Sequence, residues 1–193
     1  MDFDCDQLDE TGRRLHVFRQ YLYMQRRVDK VRNMQGTQGP RECVVVIGTP
    51  GIGKRSSPYY LHLTASLGKT TFLHYYLAFL LSQRQVSMLY TSGELYIFKD
   101  KSTIFSALVP WVKVPKDYIT APCLLDSTPG HRPPEMLTTN RRLFILQAAS
   151  PDPIHTDWIY GRGRVRRFVL NPPDEDEVVA ASVFSSLCLH PCH

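Results

Sequence analysis

The chain is poor in features that would tie it to a membrane or to an oxidising compartment. Its cysteines number five, an odd count with no C-x-x-C pair, which argues against a disulfide scaffold and for a reducing compartment. The longest apolar stretch, around Leu73 to Leu81, is too short to cross a bilayer and carries His74. The first residues, Met1-Asp2-Phe3-Asp4-Cys5-Asp6, are acidic and lack the charged-then-apolar layout of a secretory signal. Together these absences describe an intracellular protein with no membrane partner. Metal-ligand spacing is missing too: the terminal Cys188-Leu189-His190-Pro191-Cys192-His193 matches no zinc template, and residues 181–193 read as an unstructured tail.

What is present suffices for one domain with a proper core. The 193 residues are 43% hydrophobic, and Cys43 and Cys123, beside apolar runs, read as small core residues. A net charge of +5 and a pI near 9.0 imply mild attraction to polyanions, but the charge is spread along the chain. Nucleic acid is thus an open partner, and oligomeric state is not legible.

The densest chemical signal begins at Val44-Val45-Val46-Ile47, a strand-like run that feeds into Gly48-Thr49-Pro50-Gly51-Ile52-Gly53-Lys54. The phosphate-binding pattern G-x-x-x-x-G-K-[ST] needs a hydroxyl after its lysine to hold Mg²⁺. Arg55 stands there instead, followed by Ser56-Ser57-Pro58 where a helix should start. Further on, Gly68-Lys69-Thr70-Thr71 opens the helical run from Phe72 to Leu81. Removing residues 54–68 joins Gly53 to Lys69 and restores the lysine, the hydroxyl, the strand-to-helix passage and the helix together. Residues 54–68 therefore read as an insert, either translated intron or a similar gene-prediction error, or else a genuine loop insertion. In the joined reading Lys69 reaches the β- and γ-phosphates, Thr70 ligates Mg²⁺, and the residues from Gly48 to Gly53, with Thr71, complete the cradle for ATP or GTP. In the literal reading Lys54 takes the lysine's role without a hydroxyl partner.

Along the rest of the chain, Leu15, Phe18, Leu22, Val28 and Val31 recur at helical spacing among arginines between Thr11 and Asn33. This is a basic amphipathic helix, packed on the domain with a solvated charged face or else turned to nucleic acid. Residues 35–40 form a hinge, so 1–40 is an N-terminal segment and 41–180 the main domain. Helix from about Thr70 to Arg84 is followed by strands Val86–Thr91 and Leu95–Phe98 around a Ser92-Gly93 turn. Residues 100–120 resist assignment. Pro122–Asp126 and Arg142–Ala149 read as strands, Val165–Leu170 as a last short one, and Asn171–Glu177 as a helix start. The alternation implies an α/β fold: a P-loop NTPase-like sheet with a parallel core and flanking helices, its ligand at the strand carboxyl ends.

Asp126, closing an apolar strand, is the expected second magnesium-side carboxylate and the catalytic-site residue, or an ordinary loop cap. Ser127 follows it, so no carboxylate stands ready to activate water, and binding is better supported than hydrolysis. Gln147 and Ser150 read as polar sensors of the γ-phosphate or as plain strand-end polarity. The run Gly161-Arg162-Gly163-Arg164-Val165-Arg166-Arg167 reads as a solvated turn into an edge strand or as a contact for nucleic acid.

With the insert set aside, the chain resembles the P-loop NTPase module of the Crinkler effectors of oomycetes and fungi and of the related retrotransposon hot spot proteins of trypanosomes. The residues that carry this are Val45 to Gly53 with Lys69-Thr70, then Phe72 to Leu77, Leu124-Leu125-Asp126-Ser127, and Leu146-Gln147-Ala148-Ala149-Ser150-Pro151. The resemblance spans residues 40 to 180. It implies nucleotide binding, a C-terminal toxin-like domain, and secretion to act inside host cells, commonly in the nucleus. After residue 180 there is no room for such a domain, and no Crinkler leader is recognisable at the start, so a truncated or misread member is the expectation.

Overall fold

The computed structural model describes residues 19–34, 41–48, 68–99, 104–107, 118–126, 133–150, 158–159 and 164–171. Thr49 to Lys54, the remainder of the insert up to Leu67, the hinge, and the helix start and tail after Asn171 lie outside the described residues.

Three short apolar runs, Cys43–Gly48 (β1), Cys123–Asp126 (β5) and Ile145–Ala149 (β6), are buried almost throughout. A strand covered on both faces needs no polar alternation, and continuous Val/Leu/Ile runs of this kind belong in the parallel centre of a sheet. The observed pairing follows. β6 lies parallel between β1 and β5, with Val46 opposite Ala148 and Ala148 opposite Asp126. Ser87–Thr91 (β2) is parallel to β5, and Val165–Leu170 (β7) is parallel to β1 at one edge. Glu94–Phe98 (β3) returns antiparallel to β2, and Ile104–Ala107 (β4) pairs antiparallel with β3. The seven strands run in the order β4-β3-β2-β5-β6-β1-β7.

The expected hairpin turn is there. Ser92 (φ 51°) and Gly93 (φ 87°) both adopt positive φ, the two-residue geometry whose twist suits antiparallel strands. β4 was not legible in the mixed stretch 100–120, because its strand state rests on pairing with β3 rather than on its own periodicity.

Two helices cover one face of the sheet. Lys69–Ser82 (α2) buries Phe72, Leu73, Tyr75, Tyr76, Leu77 and Leu80 against Val44, Val46, Leu124, Leu146 and Ala148. Each such large apolar side chain contributes about 1.5–3 kcal/mol when buried. Arg19–Asn33 (α1) lies on α2 and on β7, burying Tyr21, Met24, Val28 and Val31 while Arg26, Arg27 and Lys30 face outward. The basic helix therefore does pack on the domain, and Arg27 sits 4.3 Å above the Phe168 ring of β7. Leu22 is only partly buried, and the seam is set by Tyr21 instead. The opposite face of the sheet is covered by the short helix Glu135–Thr139 (α3), whose Met136 and Leu137 pack with Cys43, Val45, Leu125, Ile145 and Ala149. Among the described residues, no helix is long and apolar enough to cross a membrane.

α2 ends at Ser82, two residues earlier than its sequence suggests. The Arg84 amide donates to the Leu81 carbonyl (2.9 Å) and the Gln85 amide to the Leu80 carbonyl (3.0 Å), with Arg84 itself at φ 54°. This paired stop satisfies two terminal carbonyls but puts a side chain where glycine is the relaxed choice. Arg84→Gly is expected to raise stability by about 0.5–1 kcal/mol, seen as a Tm increase of about 2–4 °C in thermal melts. A fall in Tm would show that the arginine side chain is itself a stabilising contact.

Candidate functional site

The sheet sends the carboxyl ends of β1, β6 and β5 to one edge, and α2 begins there. Gly48, the last residue of β1, and Lys69, the first of α2, are separated in the chain by residues 49–68, yet they touch. A Cβ built on Gly48 would lie 2.7 Å from Lys69 Cγ, 2.9 Å from Cδ and 3.4 Å from Cε. The lysine stem thus lies across the bare backbone at the mouth of β1, and only glycine leaves room for it. This is the neighbourhood the joined reading requires of Lys69. Lys54, with Thr49 to Gly53, lies outside the described residues.

One residue further along α2, the Thr70 hydroxyl donates to Asp126 Oδ1 at 3.2 Å. Asp126 closes β5, two strands from β1, so a hydroxyl and a carboxylate from distant parts of the chain meet beside the lysine. Burial pushes the Asp126 carboxyl above its usual range, against the opposing pull of the Thr70 hydrogen bond, His74 and Lys69. Burial likewise lowers the Lys69 ammonium, with Asp126 acting the other way. Both charged groups therefore sit in surroundings that penalise their charge, which is common where a site awaits a charged ligand. His74, one turn beyond Thr70, joins this electrostatic cluster although its sequence position alone gave it no role.

The first turn of α2 adds donors. Its N-cap is Gly68, which has no side chain to satisfy the leading amides, and no acid lies in the first turn. The positive end of the helix dipole is left facing the same edge. Thr71 does not point to that edge alone: it hydrogen-bonds the Tyr21 hydroxyl of α1. Tyr21 in turn donates to the Gly68 carbonyl at 3.4 Å, a long bond. Sequence reasoning missed Tyr21, because nothing in α1 itself signals a partner in α2.

Gln147, open in the sequence between a γ-phosphate sensor and plain strand-end polarity, lies inside β6. β6 continues to Ala149, so Gln147 is not at the strand end; it is fully buried opposite Val45 and Leu125. Those residues belong to the core on the α3 side, whereas Asp126 faces α2, so strand alternation sends Gln147 to the wrong face for a phosphate sensor. Ser150 follows Ala149, the partner of Ile47, and stays at the site edge, half-buried.

The basic run is partly neutralised. Glu42, just before β1, sits 2.5 Å from Arg166 Nε and 3.9 Å from Arg164 Nη1, and β7 is an edge strand as expected. Among the described residues, no group of three or more His, Cys, Asp or Glu side chains gathers to hold a metal ion. A Thr70–Asp126 pair still suits Mg²⁺, which prefers a few hard oxygen ligands and completes its shell with water and phosphate. Comparison with protein-family models, with curated proteins and with solved structures finds no match.

The Asp126 environment yields a prediction with a definite sign. A carboxyl raised in the folded state contributes stability at low pH, and that contribution is lost as pH rises through its folded value. Asp126→Asn removes the penalty, so the variant is expected to match the parent near pH ~4 and to exceed it in Tm by a few degrees at neutral pH, measured by thermal melts across pH. A lower Tm for the variant at neutral pH would mean that the Thr70 and Lys69 contacts outweigh desolvation.

Proposed function

We propose that this chain binds a nucleoside triphosphate, ATP or GTP, with Mg²⁺ at the edge formed by β1, β5 and α2. The observation that carries the reading is the meeting of Lys69, Thr70 and Asp126 beside Gly48, two of them hydrogen-bonded at 3.2 Å. Lys69 supplies a positive charge for the β- and γ-phosphates, and the leading amides of α2 supply neutral donors along the dipole. The Thr70 hydroxyl and the Asp126 carboxylate, now hydrogen-bonded to each other, would hold the Mg²⁺. Bound Mg²⁺ would neutralise charge on the phosphate oxygens and steady their orientation. It also relieves the penalty on the Asp126 charge, so binding is expected to favour the ionised carboxylate.

Hydrolysis is a weaker expectation. Ser127 follows Asp126, and Gln147 faces away from the site, so neither supplies a base or a positioning group for water. Binding with slow turnover or none is the reading. The likeness to the NTPase module of Crinkler and retrotransposon hot spot proteins belongs to the same proposal, as does the description of residues 54–68 as an insert. A loop that detours between fixed ends adds little closure entropy per extra residue, which lets Gly48 and Lys69 meet with the insert in place.

Lys69→Ala is expected to weaken Mg-ATP binding by about a hundredfold, as for loss of a partly buried charge contact, while Lys54→Ala changes it less than about threefold. Calorimetric titration with ATP and GTP, with and without Mg²⁺, makes the comparison. Deleting residues 54–68 should retain or tighten binding. No binding by the deleted form, or none lost on Lys69→Ala, would end the proposal.

A further inference from the structure

The N-terminal helix reaches the phosphate edge through one side chain. Tyr21 is 2% exposed, packed between Phe72 and Tyr75 with ring centroids 5.7 Å from each, and its hydroxyl lies at the first turn of α2. There it neighbours the Thr71 hydroxyl and donates to the Gly68 carbonyl at 3.4 Å. That carbonyl also takes the first helical hydrogen bond, from the Phe72 amide at 3.2 Å. The Gly68 carbonyl oxygen therefore faces two donors, the amide of its own helix and, through a long bond, the hydroxyl of α1.

The consequence lies in the geometry of a peptide bond. The Gly68 carbonyl and the Lys69 N–H share one rigid plane and point in opposite directions. Fixing the carbonyl toward Tyr21 and Phe72 fixes the Lys69 amide outward, away from the helix and over the site edge. Glycine at position 68 has little conformational preference of its own, so the direction of this plane is set by its partners. We propose that Tyr21 is a positioning residue for phosphate binding, and that α1 is thereby a working part of the nucleotide site. This rests on the reading of that edge as a nucleotide site.

Two further contacts keep Tyr21 in register. The Tyr75 hydroxyl donates to Gln25 Oε1, and the Tyr76 hydroxyl donates to Asp29 Oδ1 at 2.6 Å. Gln25 and Asp29 lie one and two turns beyond Tyr21 on α1, so the three tyrosines lock the two helices against sliding.

Tyr21→Phe keeps the ring and removes the hydroxyl. In the full-length chain it is expected to raise the Kd for Mg-ATP roughly three- to tenfold, the effect of one aimed hydrogen bond, with Tm nearly unchanged. In the nucleotide-free protein, exchange of the Phe72 amide should quicken several-fold, while amides in the middle of α2 keep their protection. Thr71→Val, which removes the neighbouring hydroxyl without touching the ring, should quicken Phe72 exchange likewise, and the double variant should add little. Unchanged affinity and unchanged Phe72 exchange in Tyr21→Phe would overturn the inference, as would an affinity loss matched by exchange quickening along the whole of α2. Failure of the parent chain to bind nucleotide would remove the functional reading, while the Phe72 exchange would still decide whether Tyr21 holds the start of α2.

Discussion

The structure depends on the parallel register of β1, β6 and β5. With Val46, Ala148 and Asp126 held on one rung, the three strands end within a residue or two of each other, and whatever follows them is delivered to a single edge. Parallel strands demand a crossover that packs on the sheet, and α2 is that crossover between β1 and β2. Its buried face is aromatic and aliphatic nearly all round, because it is pressed between the sheet and α1. Its first two residues, one basic and one hydroxylic, are left at the edge.

That placement explains why chemistry and stability oppose each other there. Lys69 and Asp126 are each partly withdrawn from water, and burial shifts each of them toward its uncharged form. Their mutual attraction offsets part of the cost, and the Thr70 hydrogen bond another part. A triphosphate with its metal presents the opposite charges to both, which is the physical sense of the proposed function.

α1 changes what counts as the module. Its outward face is basic, with Arg26, Arg27 and Lys30 exposed, but its inward face carries, among Met24, Val28 and Val31, the Tyr21 hydroxyl, the Gln25 amide and the Asp29 carboxylate, each bonded to α2 or its N-cap. Burial pushes the Tyr75 hydroxyl up to about 12, so it stays protonated and serves as a donor throughout the physiological range. The helix is joined to the domain by aromatic packing together with directed hydrogen bonds, and directed bonds transmit position as well as adhesion. On the β7 edge beneath α1, Glu42 pairs closely with Arg166 and loosely with Arg164, which ties the start of that strand to the body of the sheet.

Local chemistry in the chain was enough for the parallel core, the Ser92-Gly93 turn, the edge position of β7 and the choice of Lys69, Thr70 and Asp126 as candidates, which the fold brings together. Each of these has a short-range signature: an apolar run, two turn residues, a hydroxyl after a lysine, a carboxylate after a strand. Tertiary contacts alone decided that Lys69 lies on Gly48, that Gln147 faces the α3 side, that β4 is a strand, and that Tyr21 holds the start of α2. Those outcomes turn on which distant segments become neighbours. Sequence periodicity says which side of an element is buried, but the identity of the group it is buried against exists only once the sheet has assembled.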